Sequence, residues 1–93
     1  MLKGSAIRKR YVLVTGNRLD EILPSIDREL LKIFRAKRKF YDGAYAIYLT
    51  DQFMKEMLIE HLKKSFPGIK TVITSGTIKK CKAAIKKLAE DNA

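Results

Sequence analysis

Ninety-three residues suffice for one domain with a single core, and a hydrophobic fraction of 46% beside 32% charged residues is that of a folded chain rather than a disordered polyelectrolyte. Twenty Lys and Arg against ten Asp and Glu leave a formal net charge of +10, a field that favours polyanions, nucleic acid first among them. No apolar run approaches the roughly 18 residues of a membrane span, one Cys cannot form an internal disulfide, and the basic N-terminus lacks the hydrophobic centre of a secretory signal; a reducing, cytoplasmic setting without a membrane is expected.

Residues 1–9 mix Lys, Gly and Ser with scattered apolar residues and read as a flexible basic tail, with 10–93 as the single domain. The cluster Arg8-Lys9-Arg10 leads into Tyr11-Val12-Leu13-Val14-Thr15, whose continuous hydrophobicity predicts a central strand, ended by Gly16 and Asn17. Leu19, Ile22, Leu23, Ile26, Leu30, Ile33 and Phe34 then share an arc of roughly 120° on a helical wheel, predicting a helix from Asn17, its N-cap, to about Arg35. Pro24 implies a kink or a later start. Leu31 lies off the apolar face, either as a solitary exposed leucine or as a partner contact.

Arg35, Lys37, Arg38 and Lys39 form a second basic cluster. Lys37 to Tyr41 and Ala44 to Thr50 read as antiparallel partners joined at Asp42-Gly43, the alternative being one longer strand bulged at Gly43. Thr50 or Asp51 caps a helix from Gln52 to Phe66, stopped by Pro67-Gly68, whose apolar arc comprises Phe53, Met54, Met57, Leu58, Leu62 and Phe66. His61 falls inside that arc without ligands at metal spacing, so it reads as a packed side chain with a satisfied ring nitrogen.

Lys70 to Ile73 supplies a last strand. Beyond Ser75-Gly76-Thr77 the period becomes helical: Ile78, Cys81, Ile85 and Leu88 share one face, Lys79, Lys80, Lys86 and Lys87 lie mostly on the other, and Lys82 sits on the flank. Cys81 reads as core filler. Ser75 or Thr77 is the expected cap; the remaining first-turn amides, the helix dipole and the small Gly76 suit a phosphate, although Ser-Gly-Thr is also ordinary turn chemistry.

The order β-α-β-β-α-β plus a final helix predicts an α+β, ferredoxin-like or RRM-like split βαβ sandwich with a C-terminal helix. Both internal helices pack on one face of the sheet, leaving the other for RNA, a partner or the last helix. No second His, paired Cys or Gly-rich phosphate loop assembles a catalytic or metal-binding protein site, so no cofactor bound by the protein is expected. Ala44-Tyr45-Ala46-Ile47 is only a fragment of the aromatic pattern that stacks bases on an RNA-recognition sheet. Tyr11 and Tyr48 are either exposed platforms for a partner or packed under the last helix. Charge is the firmer signal: contact with about six phosphates would lower log affinity against log salt with a slope of roughly −4 to −5.

Two stretches, Arg10-Tyr11-Val12-Leu13 and above all Ser75-Gly76-Thr77-Ile78-Lys79-Lys80-Cys81-Lys82, together with the element order between them, resemble the small Pop-five protein subunit of archaeal and eukaryotic ribonuclease P across about Lys9 to Leu88. The resemblance implies a non-catalytic subunit of an RNA-based endonuclease that removes the 5′ leader of precursor tRNA. It also implies that the ribonuclease P RNA, with its magnesium ions, performs the chemistry. A larger barrel-type protein subunit is the implied protein partner, and a homodimer is possible for the free chain. Carried over by position, Ser75, Gly76, Thr77, Lys79 and Lys80 become RNA contacts, joined on grounds of charge by Arg8, Lys9, Arg10, Arg35, Lys37, Arg38, Lys39 and Lys82. Leu31, Tyr11, Tyr48 and the open sheet face become candidates for protein contact.

Overall fold

The computed structural model describes residues 8–91, in the order β1 (Lys9–Gly16), α1 (Leu19–Phe34), β2 (Lys37–Tyr41), β3 (Tyr45–Asp51), α2 (Lys55–Ser65), β4 (Ile69–Ser75) and α3 (Ile78–Asp91). The four strands form one antiparallel sheet in the order β2-β3-β1-β4. This is the ferredoxin-like split βαβ arrangement with an added C-terminal helix, as the periodicities predict. No helix among the described residues is long and apolar enough to cross a membrane.

The sheet is covered on both faces, which explains its unbroken apolar runs. Val12, Val14, Ala46 and Tyr48 face α1 and α2 and pack with Leu19, Leu23, Ile26, Leu30, Leu58 and Leu62. Leu13 and Ile47, on the opposite face, pack with Cys81 and Ile85 of α3. Alternation along each strand thus feeds two cores, and Val12, Leu13 and Val14 are all completely buried.

Local hydrogen bonds account for the boundaries that differ from expectation. Asn17 is not the cap of α1: the residue before the helix is Arg18, in the left-handed region at φ 60°, with no side-chain bond to the first turn. The helix starts with the first residue of the apolar pattern, Leu19, two residues after the expected Asn17, and runs unbroken through an exposed Pro24. Helix α2 begins at Lys55 because Asp51 Oδ1 accepts from the Phe53 and Met54 amides at 2.8 and 2.9 Å and closes a separate turn. That turn carries Phe53 out of the core, and Met57 is likewise exposed on α2.

The hairpin between β2 and β3 is formed. Asp42 Oδ1 accepts from the Ala44 and Tyr45 amides, and Gly43 adopts φ +100°, a conformation costly for any residue with a Cβ. The irregularity falls between Arg38 and Phe40 rather than at Gly43. At the far end of β1, a Cβ on Gly16 would stand 2.6 Å from the Gly68 carbonyl oxygen, so the approach of β4 requires glycine there.

His61 is packed as its position in the arc implies. Its Nε2 lies 2.8 Å from Glu29 Oε1, and its ring meets Phe34 edge-on at 5.5 Å. Of the tail expected over 1–9, residues 1–7 lie outside the described residues. Lys9 already belongs to β1, and the Arg8 carbonyl accepts from the Gln52 amide.

Candidate nucleic-acid interface

Three basic segments far apart in sequence meet at one end of the sheet. Because every neighbouring pair is antiparallel, the starts of β1 and β2 lie beside the ends of β3 and β4. Lys37 pairs with Leu49, Lys9 with Asp51, and Tyr11 with Ser75, so the order across this end is Lys37, Asp51, Lys9 and Ser75. Three inter-strand spacings of about 4.8 Å make the row roughly 14 Å wide.

At the β1–β4 side, the Arg10 guanidinium donates to the Lys9 carbonyl at 2.9 Å and passes 3.6 Å from where a Cβ on Gly76 would stand. The hydroxyls beside it are engaged. Ser75 Oγ accepts from the Thr77 amide, and Thr77 Oγ1 accepts from the Lys80 amide, both at 3.3 Å. Thr77 therefore caps α3, in the manner typical of an N-cap hydroxyl bonding the third helical amide. Gly76 does not have a positive φ, so its backbone would accept a side chain. Lys79 and Lys80 leave this corner exposed, and Lys82, Lys86 and Lys87 continue the cationic outer face of α3. Lys82 Nζ also sits 5.0 Å from the Phe40 ring centroid, tying α3 to β2 through a cation–π contact.

At the β2–β3 side, a cleft of about 420 Å³ is lined by Lys9, Arg35, Lys37 and Lys39, by the apolar Ile33, Phe34, Leu49 and Met54, and by Thr50 and Asp51. Arg35 ends α1 in the left-handed region at φ 56°; its amide bonds to Leu31 O, and the Ala36 amide to Leu30 O. Arg38 departs from its cluster. It turns to the α1 side, pairs with Asp27 at 3.1 Å and stacks 5.6 Å from the Tyr41 ring centroid, so its charge is largely offset within the fold.

Of the residues expected to meet a protein partner, Leu31 is exposed at 51%, whereas the tyrosines are not open platforms. Tyr11 is half-buried against α3. Tyr48 is corrected outright: its partner in the ladder is Val12, so it points at α1 and α2, is completely buried, and donates its phenol proton to Asp27. Of the three occupants left open for the other sheet face, the last helix takes it, since α3 covers Leu13 and Ile47, so that face is not open for protein contact. Burial, and then the Asp27 hydrogen bond, push the Tyr48 phenol far above its ordinary value; burial also raises the Cys81 thiol, which points at the Tyr11 carbonyl.

Sequence reasoning marked the three basic segments but missed the apolar side chains of the cleft. Leu49, Thr50 and Met54 carry no charge signal, and they meet Ile33 and Phe34 only through the tertiary arrangement. Comparison with protein-family models, with curated proteins and with solved structures returns no match to this chain.

Proposed function

We propose that this chain is an RNA-binding protein subunit of ribonuclease P, acting in the cytoplasm to support RNA-catalysed removal of the 5′ leader from precursor tRNA. The observation that carries the proposal is the meeting of Arg8–Arg10, Arg35–Lys39 and Ser75–Lys80 at one end of the sheet. A folded chain does not gather like charges without cost, and a phosphate backbone offsets their repulsion. Because α3 lies over the face on which RNA-recognition sheets stack bases, binding proceeds by contact between cations and phosphates along the sheet end and the outside of α3. The ribonuclease P RNA and its magnesium ions then carry the chemistry, with the larger barrel-type subunit as protein partner. This subunit's task is to reduce electrostatic repulsion as RNA and substrate compact.

The test is cleavage of precursor tRNA by the cognate ribonuclease P RNA and its protein partner at moderate magnesium, with and without this chain. Turnover rises on adding the chain, and replacing Lys79 and Lys80 by Ala removes part of that gain. Unchanged turnover by a protein that still binds RNA replaces the proposal with a general RNA-binding domain.

A further inference from the structure

The cleft at the β2–β3 side is more than a patch of charge. Its rim carries Lys9, Arg35, Lys37 and Lys39, its walls are Ile33, Phe34, Leu49 and Met54, and one carboxylate, Asp51, accompanies them. That carboxylate already accepts two backbone amides through Oδ1, so the cations dominate the rim. A cationic rim over an apolar floor complements a ligand with an anionic group at one end and a flat apolar face at the other. At about 420 Å³ the cleft is near the lower end of the roughly 300–1,000 Å³ typical of small-ligand sites.

Two further features bear on the same place. Thr50 lines the cleft and is only 8% exposed, yet its Oγ1 is buried without a hydrogen-bond partner among the described residues. Such an orphan hydroxyl is costly unless something else bonds it. Arg35 occupies a left-handed helix-terminating position where glycine is the low-strain choice, and it lines the cleft. Both residues forgo stability where they border this cavity.

We propose that the cleft holds one unpaired nucleotide of an RNA strand, its phosphate on Arg35, Lys37 and Lys9, its base against the apolar floor, and a polar group of the nucleotide bonded to Thr50. The inference rests on the RNA-binding reading and adds a recognition mode to it. The duplex-tolerant corner at Arg10 and Lys79–Lys80 reads only backbone, whereas the cleft requires a base free of its partner strand.

The experiment titrates the isotope-labelled full chain by NMR, at low salt, with a short oligouridylate, an abasic strand of the same length, a blunt RNA duplex and adenosine monophosphate. Oligouridylate shifts the amides of Phe34, Leu49, Thr50 and Met54, and the abasic strand binds about tenfold more weakly because it lacks the stacking contribution. Thr50→Val and Arg35→Gly each weaken oligouridylate binding several-fold while melting no lower than the parent, since one removes an unpaired hydroxyl and the other relieves a left-handed strain. Thr50→Val leaves duplex binding unchanged. Adenosine monophosphate competes only at far higher concentration than the strand. Equal affinity for the abasic strand, or shifts confined to α3, overturns the cleft while duplex binding keeps the RNA reading intact. Adenosine monophosphate binding as tightly as the strand overturns the assignment to a strand. Failure of every RNA probe to bind at low salt rejects the RNA-binding reading itself.

Discussion

Tyr48 joins three elements through one oxygen. Its place opposite Val12 sends it into the α1–α2 core, where its hydroxyl donates to Asp27 on α1, and Asp27 in turn holds Arg38 of β2. Burial and that bond raise the phenol above its ordinary 10.0, so the folded chain retains a proton that the unfolded chain releases near pH 10. The associated stability is therefore fully present below pH 10 and is lost progressively above it. Tyr48→Phe costs about 1–3 kcal/mol at neutral pH through the missing bond to a charged acceptor. Above pH 10 the parent should lose stability more steeply than the variant in denaturant titrations. Parallel curves would mean that the phenol is not the alkaline trigger. A hydrophobic tyrosine in a β run was legible in the sequence; its facing was not, because an exposed aromatic and one buried on either face share the same composition and period.

At the scale of elements, α3 decides what the sheet can do. Its apolar stripe was legible from the spacing of Ile78, Cys81, Ile85 and Leu88, and two of these, Cys81 and Ile85, are buried against Leu13 and Ile47. The stripe says that the helix needs a surface, and the second core on the sheet supplies it. Ile85→Ala leaves a void over Ile47 and Leu13 and should cost about 2 kcal/mol or more in denaturant unfolding. The transition should remain single, since Cys81 and the half-buried Ile73, Ile78 and Ala84 still join the helix to the sheet. An early separate transition would identify α3 as a detachable lid rather than part of the cooperative fold. The start of α1 was placed less well because Arg18, without a side-chain cap, precedes the helix where Asn17 was expected to cap it. The start of α2 was placed less well because its apolar period extends back to Phe53 and Met54, whose amides Asp51 diverts into a turn that the pattern does not reveal.

At the scale of the whole molecule, the charge of +10 is divided between cations free to meet phosphate and cations engaged within the fold. Lys79 and Lys80 are exposed at the start of α3, whereas Arg38 is bound to Asp27. The salt dependence of the proposed RNA binding should reflect that division. Replacing Lys79 and Lys80 together by Ala should lower the slope of log affinity against log salt by about 2, at roughly 0.9 for each duplex phosphate that the protein no longer neutralises. Arg38→Ala should leave the slope unchanged when measured well below the melting temperature. An equal effect from Arg38 would mean that the ion pair opens on binding and that its charge serves the RNA.

Composition, hydrophobic period and turn residues by themselves determined the class of this fold, the order of its elements and the cationic character of its surface. These are local properties, set by which residues recur at 2 or at 3.6 positions and by where Gly and Asp interrupt them. Only the tertiary structure decided which cations stand together. The strand order β2-β3-β1-β4 brings residues 8–10, 35–39 and 75–80 to one end of the sheet. At the β2–β3 side it also forms a cleft of cations and apolar side chains whose walls no single segment contains. Register decided the rest, because alternation assigns successive strand residues to opposite faces and a pairing one residue away would have exchanged the two cores.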